Sequence, residues 1–97
     1  MRIRFLEIAQ LELDQAVDYY NYESPGLGDA FVVEVIKTLD RIGTYPEAWH
    51  RLSSRTRRCR TRRFPYGRIY QVREDEILII AVANLHRHPN YWQDRTK

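Results

Sequence analysis

Cysteine occurs once, at Cys59, so no disulfide can form within the chain, as expected of a protein from a reducing compartment. With only four glycines and four prolines, the sequence has neither low-complexity stretches nor a glycine-rich phosphate loop. Long apolar runs are also missing. The longest, Ile77 to Ala83, is far too short to cross a bilayer. Met1-Arg2-Ile3-Arg4-Phe5-Leu6-Glu7 has basic residues with no sustained apolar segment behind them, so a signal peptide is not expected. These absences predict a cytoplasmic protein. There is no internal repeat, and 97 residues suffice for one domain over 1–97.

Acidic side chains are missing from one long stretch. Residues 1–50 hold four basic and nine acidic side chains, net −5, whereas residues 51–97 hold twelve and four, net +8. Between Ala48 and Arg73 there are nine arginines, no lysine and no acid. A planar guanidinium forks onto carboxylate or phosphate in a way a lysine point charge does not. Isolated surface charges would be ordinary solvated groups. A run this dense without counter-ions predicts a face for a large anionic or acidic partner.

Periodicity supplies the elements. Ile3 and Phe5 alternate with Arg2 and Arg4, a short first strand. Ala9, Leu13, Ala16 and Tyr20 fall at helical spacing, predicting an amphipathic helix over 8–22 with Glu12, Asp14 and Asp18 elsewhere on its surface. Ser24-Pro25-Gly26 breaks the chain, with Ser24 able to cap a second helix and Pro25 suited to its first turn. Phe31, Val35, Leu39 and Ile42 form that helix's stripe, and Gly43 could end it. Two helices joined this closely should pack as an antiparallel hairpin. After a loop over 44–56 the period falls to two. Arg58, Arg60 and Arg62 should share one strand face, with Arg63 behind them. Pro65 restricts its position to an edge or a bend. Arg68 to Val72 resumes a strand, Glu74-Asp75-Glu76 reads as a hairpin turn, and Ile77 to Ala83 as a central strand covered on both faces. Pro89 starts a short final helix or turn. The expected fold is α+β in the order β-α-α-β-β-β, a mostly antiparallel sheet on an N-terminal helix hairpin.

Chemistry is sparse. His86 and His88 lack the acidic or cysteine partners that a zinc site needs, Asp94 aside, so neither metal nor cofactor is expected. Cys59 could be a nucleophile among arginines, but no motif couples it to a histidine, and a buried strand cysteine is the simpler reading. No pair of carboxylates is spaced for acid–base work. Tyr66, Tyr70, Tyr91 and Trp92 can all serve as core residues. One chemistry survives. Cleaving RNA through its own 2′-hydroxyl requires positioned cations and proton carriers but no metal.

At these residues a resemblance emerges. Ala9, Leu13, Ala16 and Tyr19-Tyr20, then Ser24-Pro25-Gly26-Leu27-Gly28 with Phe31, then Pro46, Phe64-Pro65-Tyr66 and Tyr70, and finally Arg87, Pro89, Tyr91-Trp92 and Arg95 occur in the order seen in RelE/ParE-superfamily toxins. These are the toxins of bacterial type II toxin–antitoxin modules, the ParE-like branch including plasmid-stabilisation proteins. The resemblance implies an acidic antitoxin partner, with the oligomeric state, dimer or hetero-oligomer, left open. It implies one of two activities: ParE-like members bind and inhibit DNA gyrase, and RelE-like members are metal-independent endoribonucleases that cut mRNA on the ribosome. By position, Arg58 and Arg60 match the nucleases' basic strand, and Arg87 and Tyr91 their later arginine and tyrosine. If the protein is an enzyme, the resemblance makes Arg60, Arg87 and Tyr91 catalytic. As target-binding residues it points to Arg58, Arg60, Arg62, Arg63, Arg87 and Arg95. Gly67 stands where the nucleases have an arginine, and alternation turns Arg68 to the other face. Phe64-Pro65-Tyr66 and Pro89-Asn90-Tyr91-Trp92 also look ParE-like, so gyrase is the favoured target and mRNA the alternative.

Overall fold

A computed structural model describes residues 2–87 and 89–96. Strand β1 (Arg2–Phe5) leads into helices α1 (Glu7–Glu23) and α2 (Leu27–Thr44), and strands β2 (His50–Arg51), β3 (Arg57–Arg60), β4 (Tyr66–Val72) and β5 (Glu76–Asn84) follow. A short 3-10 turn, Gln93–Thr96, lies near the end. The sheet order is β1-β5-β4-β3-β2. β1 and β5 run parallel, the helix hairpin carrying the chain from β1 to β2 at the opposite edge, and every other described pair is antiparallel. This is the α+β arrangement expected from the sequence. It gains one two-residue strand, β2, inside the segment read as a loop. Among the described residues no helix is long and apolar enough to cross a membrane.

The helix junction differs from expectation in its capping. Ser24 closes α1, its N–H donating to the Tyr20 carbonyl at 3.0 Å, and does not cap α2. Gly26 precedes α2 with φ of 87°, a left-handed conformation open to glycine at little cost, so Pro25 falls before the helix and not in its first turn. The next glycine, Gly28, sets how closely the helices approach. A Cβ there would sit 2.5 Å from both the Val17 carbonyl oxygen and Asn21 Cγ. The same Asn21 side chain accepts a 2.8 Å hydrogen bond from the Gly28 N–H. Gly43 is an interior residue of α2, which runs on to Thr44.

The helices cover one face of the sheet. Ala9 and Ile42 pack with Cys59, Tyr70, Ile77 and Ile79, while Phe31, Val35, Ala16 and Phe64 form a neighbouring cluster with Tyr20 and Tyr66. The four rings Tyr20, Phe31, Phe64 and Tyr66 meet edge-on or tilted, with centroids 4.9 to 6.1 Å apart where they touch. On the opposite face, Ile69, Leu78, Ile80, Ala81 and Ala83 are covered by Trp92 from the C-terminal segment. A register shift explains how Ile80 and Ala81 belong to the same face. Ile69 pairs with Ala81 and Tyr70 with Ile79, leaving Ile80 as an extra residue. Glu76, expected in the turn, instead opens β5 and holds β1: Arg4 donates to its carboxylate through Nε at 3.1 Å and Nη2 at 2.9 Å.

Arg68 is completely buried. Alternation does turn it to the helix side, where its guanidinium lies 5.9 Å from the Phe31 ring centroid. Its Nη1 donates to Thr61 Oγ1 at 3.3 Å, while Nε and Nη2 have no acceptor among the described residues. Burial pulls its pKa down to about 10. A buried, largely unsatisfied cation costs stability, so Arg68→Met should raise unfolding free energy by about 1–2 kcal/mol in urea titrations. The difference should shrink above pH of about 10, where the folded form sheds a proton that the unfolded chain keeps. A fall in stability of similar size would show that the guanidinium is paired in solution.

Candidate functional site: an arginine-walled groove closed by a glutamate

Strand β1 ends at Phe5, opposite Ile79, and the Leu6 N–H makes the last main-chain contact there. From Ile80 onward the outer edge of β5 has no strand beside it, which would leave buried polar groups unpaired. Glu12 fills the gap. Its Oε1 accepts the Val82 N–H at 3.0 Å and Arg95 Nη1 at 2.8 Å. Its Oε2 accepts Arg95 Nη2 at 3.1 Å and the Tyr91 hydroxyl at 2.8 Å. Arg95 Nη1 in turn reaches the Ile80 carbonyl at 3.3 Å. The Glu12 side chain is 11% exposed and that of Arg95 14%. The forked pair therefore binds α1, β5 and the C-terminal segment together.

This corrects the surface placement of Glu12, and a signal was present in the sequence. Glu12 follows Ala9 by three and precedes Ala16 by four, and these are the two buried positions of α1. Arg95, expected among the target-binding arginines, is engaged by Glu12 in the interior.

Tyr91 is fixed by the same carboxylate. Arg87 lies 4.1 Å and Arg95 5.0 Å from its ring centroid, so two guanidiniums cover the ring. Burial, then the hydrogen bond to Glu12, pushes the phenol well above its ordinary pKa. Arg87 itself remains 58% exposed, with Nη1 4.0 Å from Glu12 Oε2. Trp92 is buried, and its Nε1–H donates to the Pro89 carbonyl at 2.8 Å.

The C-terminal segment leaves a groove of about 300 Å³ against the sheet. Arg58 and Arg87 line it together with Leu52, Leu85 and the two aromatics Tyr91 and Trp92. Arg58 and Arg60 share the β3 face turned away from the helices, as alternation predicts, pairing with Ile69 and Gly67 of β4. Arg62 does not join them, because β3 ends at Arg60. Beyond the strand end it lies at a second depression, which Arg41, Arg58 and Arg60 also line. Arg63 takes the turn into β4 with φ of 75° and stacks over Phe64 at 5.3 Å. The stem of Arg58 passes over Gly67, where a Cβ would meet its Cγ and Cδ at 3.1 and 3.2 Å. Burial, and then Arg60, pull the Arg58 pKa down, and its buried Nε has no acceptor among the described residues.

Cys59 and His86 do not line this groove. Cys59 is buried on the helix side, where desolvation raises its pKa. His86 is exposed, and His88 lies outside the described residues. Arrangement and charge thus define a basic face with a sheltered groove, built on a two-helix, five-strand frame.

Comparison with known proteins gives this frame its family. The profile of the ParE toxin of type II toxin–antitoxin systems, parDE, matches residues 3–90. The chain belongs to this family and is a type II toxin with a cognate antitoxin as partner. A solved chain from the chromosomal ParDE toxin–antitoxin system of P. aeruginosa has the same fold at a TM-score of 0.77 and 19% identity, covering 89% of this chain and 97% of that one. No curated protein matches significantly. The family match stops at residue 90, so the positions of Tyr91, Trp92 and Arg95 rest on the structure.

Removing Glu12 would strand Arg95 and the Val82 N–H together. Glu12→Ala should cost about 2 kcal/mol or more and speed amide exchange at Val82. Glu12→Gln, which keeps an acceptor for that N–H, should cost less. Equal stability of Glu12→Ala and wild type would mean that the C-terminal segment is held by other contacts.

Proposed function

We propose that this toxin arrests growth by binding DNA gyrase through its arginine face, in which Arg58, Arg60 and Arg87 are the principal contacts and Arg62 and Arg63 extend the positive field. The observation that supports binding over RNA cleavage is the state of Tyr91. An in-line attack needs a proton carrier free to exchange. Tyr91 is held protonated as a donor to Glu12, with its ring covered. Gly67 adds no cation, and the room it leaves is taken up by the Arg58 stem. Two assays on one induced culture test this: primer extension on an abundant message, and recovery of DNA trapped on gyrase. Trapped gyrase without cuts inside translated codons is expected. Discrete codon-dependent cuts abolished by Arg87→Ala would replace this reading with the endoribonuclease.

The antitoxin partner should be an acidic chain, disordered in part when free, whose binding spreads over a large area. α1 is itself acidic, with Glu7, Asp14, Asp18 and Glu23, so opposite charge draws such a segment to the sheet face. Apolar residues of the partner fit the exposed Ile8, Leu11, Tyr19 and Tyr22 of α1. Co-expression with the product of the neighbouring reading frame should relieve toxicity and yield a co-purifying complex. Failure of both would remove that product as the antitoxin.

A further inference from the structure

The groove holds one sheltered cationic donor with no acceptor among the described residues. Arg58 lies across Gly67 with its Nε–H out of contact with water and without an acceptor among the described residues. Leaving a charged donor unpaired is costly, and an incoming acceptor would recover that cost. Around it are apolar side chains, Leu52, Ile69 and Leu85, and the exposed Arg87 lines the same groove.

Resting on the toxin–antitoxin reading, we propose that this groove is a carboxylate-binding site, in which Arg58 and Arg87 receive an acidic side chain of the antitoxin and Leu52 and Leu85 receive an apolar neighbour of that residue. Gly67 is the determinant of the site. A Cβ there would meet Cγ and Cδ of Arg58 at 3.1 and 3.2 Å, so the stem would have to shift by about a few tenths of an ångström and carry the guanidinium with it. Peptide suits the groove better than nucleic acid does. Single-stranded nucleic acid is gripped by stacking its bases on aromatic faces. Here the Tyr91 ring is already covered by Arg87 and Arg95, and Trp92 is buried. The groove therefore offers cations and aliphatic side chains, and the two aromatics that line it are already engaged by other groups.

The side-chain Nε–H of Arg58, shielded from solvent, provides a direct NMR probe. The isotope-labelled full chain would be titrated with an acetylated hexapeptide alternating Leu and Glu, with its Leu/Gln counterpart, and with a uridine trinucleotide. The Leu/Glu peptide should shift the Arg58 Nε–H and the Leu52 and Leu85 methyl signals saturably, and the other two probes should not. Arg58→Met, which keeps the stem, and Gly67→Ala should each weaken that binding by about tenfold or more. Arg55→Ala, outside the groove, should leave it within about twofold. No shift at these signals, equal shifts with the Leu/Gln peptide, or tighter binding of the trinucleotide would each overturn the proposal. The neighbouring-frame protein separates the two levels. If it neutralises the toxin yet leaves the Arg58 Nε–H unmoved, the groove proposal fails and the antitoxin reading stands. If it neither binds nor neutralises, the antitoxin reading itself fails for that protein.

Discussion

The Glu12–Arg95 pair closes an edge that the fold leaves open. β5 lies between β1 and β4 and is longer than its parallel neighbour, so its last residues run past the end of β1 with main-chain groups that no strand pairs on that side. A longer β1 would solve that problem with main-chain hydrogen bonds. A carboxylate and a guanidinium solve it locally, one accepting the Val82 N–H and the other donating to the Ile80 carbonyl. Because one partner comes from α1 and the other from the C-terminal segment, the same pair sets where that segment lies. The groove, the stacking of Arg87 on Tyr91 and the burial of Trp92 all follow from that placement.

The second determinant is the division of arginines between the two faces of the sheet. Period-two alternation sends Arg58 and Arg60 outward and Arg68 inward, and the chain accepts a buried guanidinium with a single weak hydrogen bond as a result. The outward pair gains from its neighbours. Gly67 gives Arg58 a bare stretch of backbone to lie on, while Arg60 keeps the local potential positive. The extra residue at Ile80 then switches which side chains of β5 face the C-terminal segment, placing Ala81 and Ala83 beneath it where larger groups would fill the space.

Charge segregation along the chain becomes segregation in space. Acidic α1 lies on one side of the sheet and the Arg58 and Arg60 side chains on the other, so the two sides carry opposite potentials. Glu12 is the exception, an acid from the helix side that crosses to the basic side, and it consumes one of the arginines there.

The helix hairpin, the order of elements along the chain and the shared face of Arg58 and Arg60 were legible in the sequence, because each depends on local periodicity that the sheet and helices preserve. Apolar spacing marked α1 and α2, and the uninterrupted run from Ile77 to Ala83 marked the buried strand. β2 was not legible, since two residues carry no period. The capping at Ser24 and Gly26 was misread because either residue can terminate a helix, and only the angle between the helices decides which one does. Arg95 is chemically indistinguishable from Arg58 in a sequence, and the spacing that marks Glu12 as inward does not name its partner. Whether such a group meets water, a target or its opposite charge depends on residues some 80 positions away (Glu12 and Arg95 are 83 apart). Local sequence determined the elements and the sign of each surface, and the tertiary structure decided which charges remain free to bind, because only folding brings distant counter-charges within hydrogen-bonding reach.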